Sequence, residues 1–190
     1  MTELLPVYTR LHRAKLSVRD FMMLDEHNAF AAYRKTELLD GDVYFMNAQH
    51  RPHGRIKAEL YDTIRAELAR LGSPYRPMQE VSVELSPESM PEPDITLTSE
   101  PRGAGAIPLA SIGLVVEVSD TTLDIDLGKK LAIYAAAGVP EYWVADVTGR
   151  ILHQMWLPSD GYYAQRTELT FGQPLKSATI AGLTVATEEL

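Results

Sequence analysis

The chain has 190 residues, enough for one domain that buries a full core without staples. It contains no cysteine, which excludes disulfides, thiolate metal sites and thiol nucleophiles, and its net charge of −8 opposes broad electrostatic attraction to nucleic acid. No run approaches the roughly 18 apolar residues of a membrane span, and the first residues lack the basic and apolar regions of a secretory signal, so a cytoplasmic protein with no membrane partner is expected.

Residues 1–16 carry no clear period and read as an N-terminal arm to a single domain spanning 1–190. Ser17, followed by Val18-Arg19-Asp20 and an apolar run, predicts an N-capped helix ending near His27-Asn28. Thr36 to Met46 places Asp40-Gly41 between two β-prone runs, a hairpin signal that sets Glu37 on the first arm. From His53 to Leu71 the residues Ile56, Leu60, Ile64, Leu68 and Leu71 recur at steps of three and four. Lys57, Glu59, Asp62, Arg65 and Glu67 fill the other faces, and Gly72 and Pro74 stop the helix. The alternation of Val81, Val83 and Leu85 with Ser82 and Glu84 predicts a strand wet on one side. Residues 98–111, with Pro101, Gly103, Gly105 and Pro108, read as a surface loop.

The segment from Pro93 to Asp146 holds the chemistry. Asp94 stands at the mouth of the short apolar strand Ile95-Thr96-Leu97, and Glu117 interrupts Leu114-Val115-Val116-Glu117-Val118-Ser119, a run apolar enough to lie in the middle of a sheet. A carboxylate buried there costs several kcal/mol unless it is paired or bound to a metal. A helix follows from Asp124 to Gly138, then a strand from Pro140 to Asp146, with Tyr142 and Trp143 as core. Beyond it come a turn at Val147-Thr148-Gly149 and short strands broken by Gly161, Gly172, Pro174 and Gly182.

Acids on two strands and a lysine on the next helix are the raw material of a phosphodiesterase site that uses Mg2+ or Mn2+. Paired strands bring Asp94 and Glu117 together as metal ligands, with the Val118 carbonyl as a third oxygen. Lys130 is then placed to orient water and to stabilise charge on the phosphate. Each residue has a plainer reading. Asp94 is also a strand-entry acid after proline, Glu117 also a structural carboxylate, and Asp126 with Lys130, four apart, also a surface ion pair. Glu37 is either a further acid of the site or a hairpin-face carboxylate. His53 is either a phosphate-binding or proton-carrying residue or a structural helix-entry residue. Lys129 points about 100° away from Lys130, toward solvent.

Taken together, Thr36 to Gly41, His53, Pro91-Glu92-Pro93-Asp94, Val116 to Ser119, Asp126 to Lys130, Tyr134-Ala135, Ala137 to Asp146 and Ile180 to Val185 resemble the Uma family of restriction-endonuclease-like proteins. The resemblance runs from about Ser17 to the end. It implies a PD-(D/E)XK-type α/β fold, a mixed central sheet flanked by helices, with a metal-dependent nuclease site. In that pattern Asp94 matches the motif aspartate and Glu117 the following acid. The wider superfamily has lysine two positions after that acid, where this chain has Ser119; Lys130 matches the helix lysine of the Uma pattern. Glu37 and His53 also occupy pattern positions.

The leading expectation is a Mg2+- or Mn2+-dependent endonuclease on nucleic acid, DNA ahead of RNA, with Asp94, Glu117, Lys130, Glu37 and His53 as its site. The alternatives are a catalytically inactive module binding nucleic acid or protein on the same fold, and hydrolysis of a non-nucleic phosphodiester. A homodimer through exposed sheet edges is a further expectation.

Overall fold

A computed structural model of the protein describes residues 13–33, 35–46 and 48–190. Its frame is a six-stranded sheet in the order β10-β9-β8-β7-β5-β3. These strands are β3 (Arg76–Gln79), β5 (Ile95–Thr98), β7 (Ile112–Ser119), β8 (Glu141–Asp146), β9 (Ile151–Ser159) and β10 (Tyr162–Thr170). β7 and β8 run parallel and all other neighbours antiparallel, so the sheet is mixed, as expected.

β7 is buried along its whole length, which explains its apolar sequence. Its side chains alternate between two cores. Leu114, Val116 and Val118 face helix α2 (Arg51–Arg70), where Ile56, Leu60, Ile64 and Leu68 form one stripe. Val115 faces the opposite core, with Ile133, Tyr134, Tyr142 and Val144. Glu117 shares the parity of Val115 and so enters this second side. At one end of the sheet the hairpin of β1 (Lys35–Leu39) and β2 (Asp42–Met46) covers it. The hairpin turn requires its glycine twice over. Asp40 and Gly41 both have positive φ, and a Cβ on Gly41 would stand 2.7 Å from Lys15 Cβ.

Helix α1 (Val18–Glu26) opens with the expected Ser17 cap, completed as a capping box by Asp20. Of the predicted arm, residues 1–12 lie outside the described residues. Arg13 and Lys15 pair with Asp42 at the hairpin.

Three local expectations change. The strand expected over residues 81–85 shrinks to β4 (Val83–Glu84), and its partner is β6 (Ile107–Pro108), inside the segment read as a surface loop. Val83 and Ile107 are buried in the core with Val115, which the glycines and prolines around them concealed. The helix expected from Asp124 to Gly138 is not one regular helix. A single α-turn (α3, Leu123–Ile125) leads into a π-turn over Asp126–Lys130, and α4 (Leu131–Ala137) then ends at Gly138 with φ 84°. The Asp126 carbonyl accepts both the Leu131 N–H and the Tyr142 hydroxyl, and Gly128 lowers the resistance of the turn to widening. The short strands expected in the tail include β11 (Leu175–Lys176) and β12 (Thr184–Val185), which form a small sheet whose buried residues close the α2 side.

Candidate active site

β5 begins only at Ile95, so Asp94 stands just beyond the end of its pairing with β7, level with Glu117 and Val118. The Asp94 N–H donates to Glu117 Oε2 at 3.3 Å, and the Val118 N–H donates to Asp94 Oδ2 at 2.8 Å. Backbone therefore fixes both carboxylates. From α2, His53 Nε2 lies 3.2 Å from Asp94 Oδ2, and its Nδ1 has no partner among the described residues.

The π-turn delivers Lys130 to the other carboxylate. Its Nζ lies 2.9 Å from Glu117 Oε1 and 3.0 Å from Glu37 Oε2, with Asp126 Oδ1 at 3.9 Å. Asp126 and Lys130 are buried, so they are no surface ion pair. Glu37, the residue on the first hairpin arm, is buried too and also accepts the Glu92 N–H. Asp94, Glu117, Lys130, Glu37 and His53 thus form one connected cluster.

Lys129 diverges from Lys130 as expected but is not simply solvated. It reaches Asp40 and Asp42 and lies over the Tyr44 ring at 5.4 Å.

Three members were not anticipated. Lys57, placed by sequence on an outer face of α2, is buried and donates to Gln49 and Glu80 at 2.8 and 2.7 Å, with Asp94 Oδ1 at 3.7 Å. Gln49 in turn donates to Asp94 Oδ1. The Tyr134 hydroxyl donates to Glu117 Oε1 at 2.9 Å. The signal for Lys57 and Tyr134 was helical spacing, since each stands four residues after a site candidate, His53 and Lys130 respectively.

Charge is unbalanced in this cluster. Glu37, Asp94, Glu117 and Asp126 are buried against Lys130 and Lys57, with Lys35 3.9 Å from Glu37, so the four carboxylates outnumber the three lysines by one. Burial pushes the Glu117 carboxyl up to about 8; Asp126, Asp94 and Glu37 add to the rise and Lys130 opposes it. Burial also raises Asp126. Asp94 goes the other way. Burial alone would raise it, but the bond and charge of His53 and the Val118 N–H hold it below the ordinary carboxylate value. For Lys130, burial alone would lower the pKa, and the carboxylates of Glu117, Glu37 and Asp126 overcome this and raise it. The cluster so contains an anion, a carboxyl ready to hold a proton, and a permanent cation.

A cleft of about 450 Å³ opens onto this cluster, with Glu37, His53, Asp126 and Lys130 in its wall. Among the described residues, no three His, Asp or Glu side chains gather closely enough to hold a metal alone. Nor is any described helix long and apolar enough to cross a membrane. Two carboxylates fit an ion that keeps several waters, as Mg2+ does, and the excess of buried oxygen anions suits such a hard cation.

Comparison with curated proteins returns no match. Among solved structures, the chain is similar to one described as a "putative nuclease belonging to DUF820 from Anabaena variabilis ATCC 29413". The TM-score is 0.71 at 13% identity, covering 92% of this chain and 96% of that one, a likeness that shows the fold. The Uma2 family, described as "Putative restriction endonuclease", matches residues 21–188. With so much of its length matched, this chain belongs to the Uma2 family and has a nuclease-like mixed α/β fold.

Proposed function

We propose that the protein is a Mg2+- or Mn2+-dependent endonuclease that hydrolyses phosphodiester bonds in DNA. The observation that carries this reading is geometric: Glu37, Glu117 and Asp126 are buried around Lys130, and Asp94 is buried beside Glu117. Asp94, Glu117 and the Val118 carbonyl would hold the ion. The extended backbone of Val118 turns its carbonyl to the same side as its N–H, which already faces Asp94. When bound, the ion acidifies a water and neutralises charge on the phosphate.

The remaining roles follow from the chain itself. In the overall reaction the water oxygen bonds to phosphorus, the bridging P–O bond breaks, and the water's proton is balanced by protonation of the departing oxygen. Lys130 is held protonated by three carboxylates, so it is no base for the water. Its ammonium instead offsets negative charge building on the phosphate. Glu37 fixes Lys130 from the hairpin side. His53, Gln49 and Lys57 hold Asp94 in place from α2 and the residues before it.

The net charge of −8 favours a second reading, a non-catalytic binding module on the same fold. A cleavage assay separates the two. With Mn2+, the native protein should cut DNA in at least one form, single-stranded or duplex, and Lys130→Met should slow cleavage about 10²-fold or more. Circular dichroism verifies that the variant is folded. Intact DNA in every form with either ion, or a folded Lys130→Met variant cutting at the native rate, would contradict the proposal.

A further inference from the structure

The mouth of the cleft carries an aromatic surface that the chemistry above does not use. Phe45 on β2 lines the cleft and is 59% exposed. Tyr33 stacks against it with ring centroids 4.7 Å apart and planes 28° from parallel, and is itself 48% exposed. Single exposed aromatics are ordinary on protein surfaces. A stacked pair of which one ring, Phe45, reaches the rim of the cleft from the hairpin face opposite Glu37 is a different matter, because Tyr33 braces Phe45 on one side.

The rest of the cleft indicates what that face meets. Lys130 is the sole Lys or Arg in the wall among the described residues, and Glu37, Asp120 and Asp126 are its acids. Among the described residues such a wall offers one cation, with Lys129 beside it over Tyr44, few for tracking the two phosphate strands of a duplex. Its volume of about 450 Å³ is that of a small-ligand cleft. Stacking on an aromatic ring needs no phosphate neutralisation, and it requires a base that is free of its own stack.

We propose that Phe45, braced by Tyr33, is a stacking platform for an unpaired base next to the scissile phosphate, so that the substrate is single-stranded DNA rather than duplex. This rests on the nuclease reading for the identity of the cleft, but base binding can be measured without turnover.

The test uses fluorescence anisotropy in EDTA with a 5′-fluorescein 12-mer, single-stranded or annealed to its complement. The expected result is single-strand binding at least about tenfold tighter than duplex binding, with Phe45→Ala and Tyr33→Ala each weakening it, Phe45→Ala by about tenfold. Phe45→Trp should retain binding, its added emission being quenched by the oligonucleotide. Leu157→Ala, an equally exposed apolar residue near the opposite end of β9 from the site, should change nothing. Equal or tighter duplex binding, or native affinity for the single strand in Phe45→Ala, would overturn the inference. Metal-dependent duplex cleavage insensitive to Phe45→Ala would sink the platform and spare the nuclease. Phe45-dependent binding of the single strand without cleavage in Mg2+ or Mn2+ would do the reverse.

Discussion

Glu117→Gln is expected to abolish metal-dependent cleavage and yet to leave the protein more stable than the native form above pH 8. The substitution keeps the shape, and its carbonyl oxygen still accepts the Tyr134 hydroxyl while Lys130 retains Glu37 as a partner; the Asp94 N–H loses its long bond to Oε2. What it removes is a carboxyl whose folded pKa of about 8 lies above its ordinary 4.5. Between those two values the folded chain holds a proton that the unfolded chain has released. Unfolding free energy therefore falls as pH rises through that window, by at most about 1.4 kcal/mol per pH unit. The contribution of the protonated group is complete below pH 4.5 and gone above pH 8. Urea unfolding of the metal-free protein from pH 5 to pH 9 should show the native curve declining toward and crossing the flatter variant curve. Parallel curves would mean that Glu117 is ionised throughout and paired well enough to be a structural residue.

Glu141→Gln is expected to be destabilising, by about 3 kcal/mol. Glu141 is as buried as Glu117, but its surroundings are neutral donors. The indole N–H of Trp143, the Gln154 amide, the hydroxyls of Ser177 and Thr179, and the backbone N–H groups of Ala178 and Thr179 all donate to its two oxygens. A glutamine turns one acceptor into a donor facing donors, which leaves several buried N–H and O–H groups unpaired. The loss should appear as a lower urea midpoint with unchanged slope. A shift of less than about 0.5 kcal/mol would mean that the C-terminal segment is not pinned by this carboxylate.

These two glutamates show what the sequence does and does not reveal. Glu117 interrupts the apolar run Leu-Val-Val-Glu-Val, and Glu141 opens the apolar strand Tyr-Trp-Val-Ala. The rule that a buried carboxylate demands compensation applies equally to both. Only the fold shows that one is satisfied by neutral groups from a segment more than thirty residues later in the chain, and that the other stands among like charges. The central strands, the α2 stripe and the hairpin were legible because their periods are strong and their turn residues have a mechanism. The β4–β6 pairing was not, because two residues per strand leave no period to read. The π-turn was hidden because spacings of four and five residues differ too little across one turn. Lys57 was misplaced because it borders the apolar stripe of α2, where a long side chain can lie along the core and carry its charge to Glu80.

Reasoning about strands and the helix after them groups Asp94, Glu117 and Lys130, and in the structure Lys130 meets Glu117 side chain to side chain while Asp94 joins Glu117 through its backbone N–H. The most direct test of the metal assignment is a crystal soaked in Mn2+ and measured above the manganese absorption edge. The account predicts one strong anomalous peak between the carboxylates of Asp94 and Glu117, within coordinating distance of the Val118 carbonyl, and no such peak in Glu117→Gln. A native crystal with no peak there, or with manganese held only elsewhere on the surface, would contradict it.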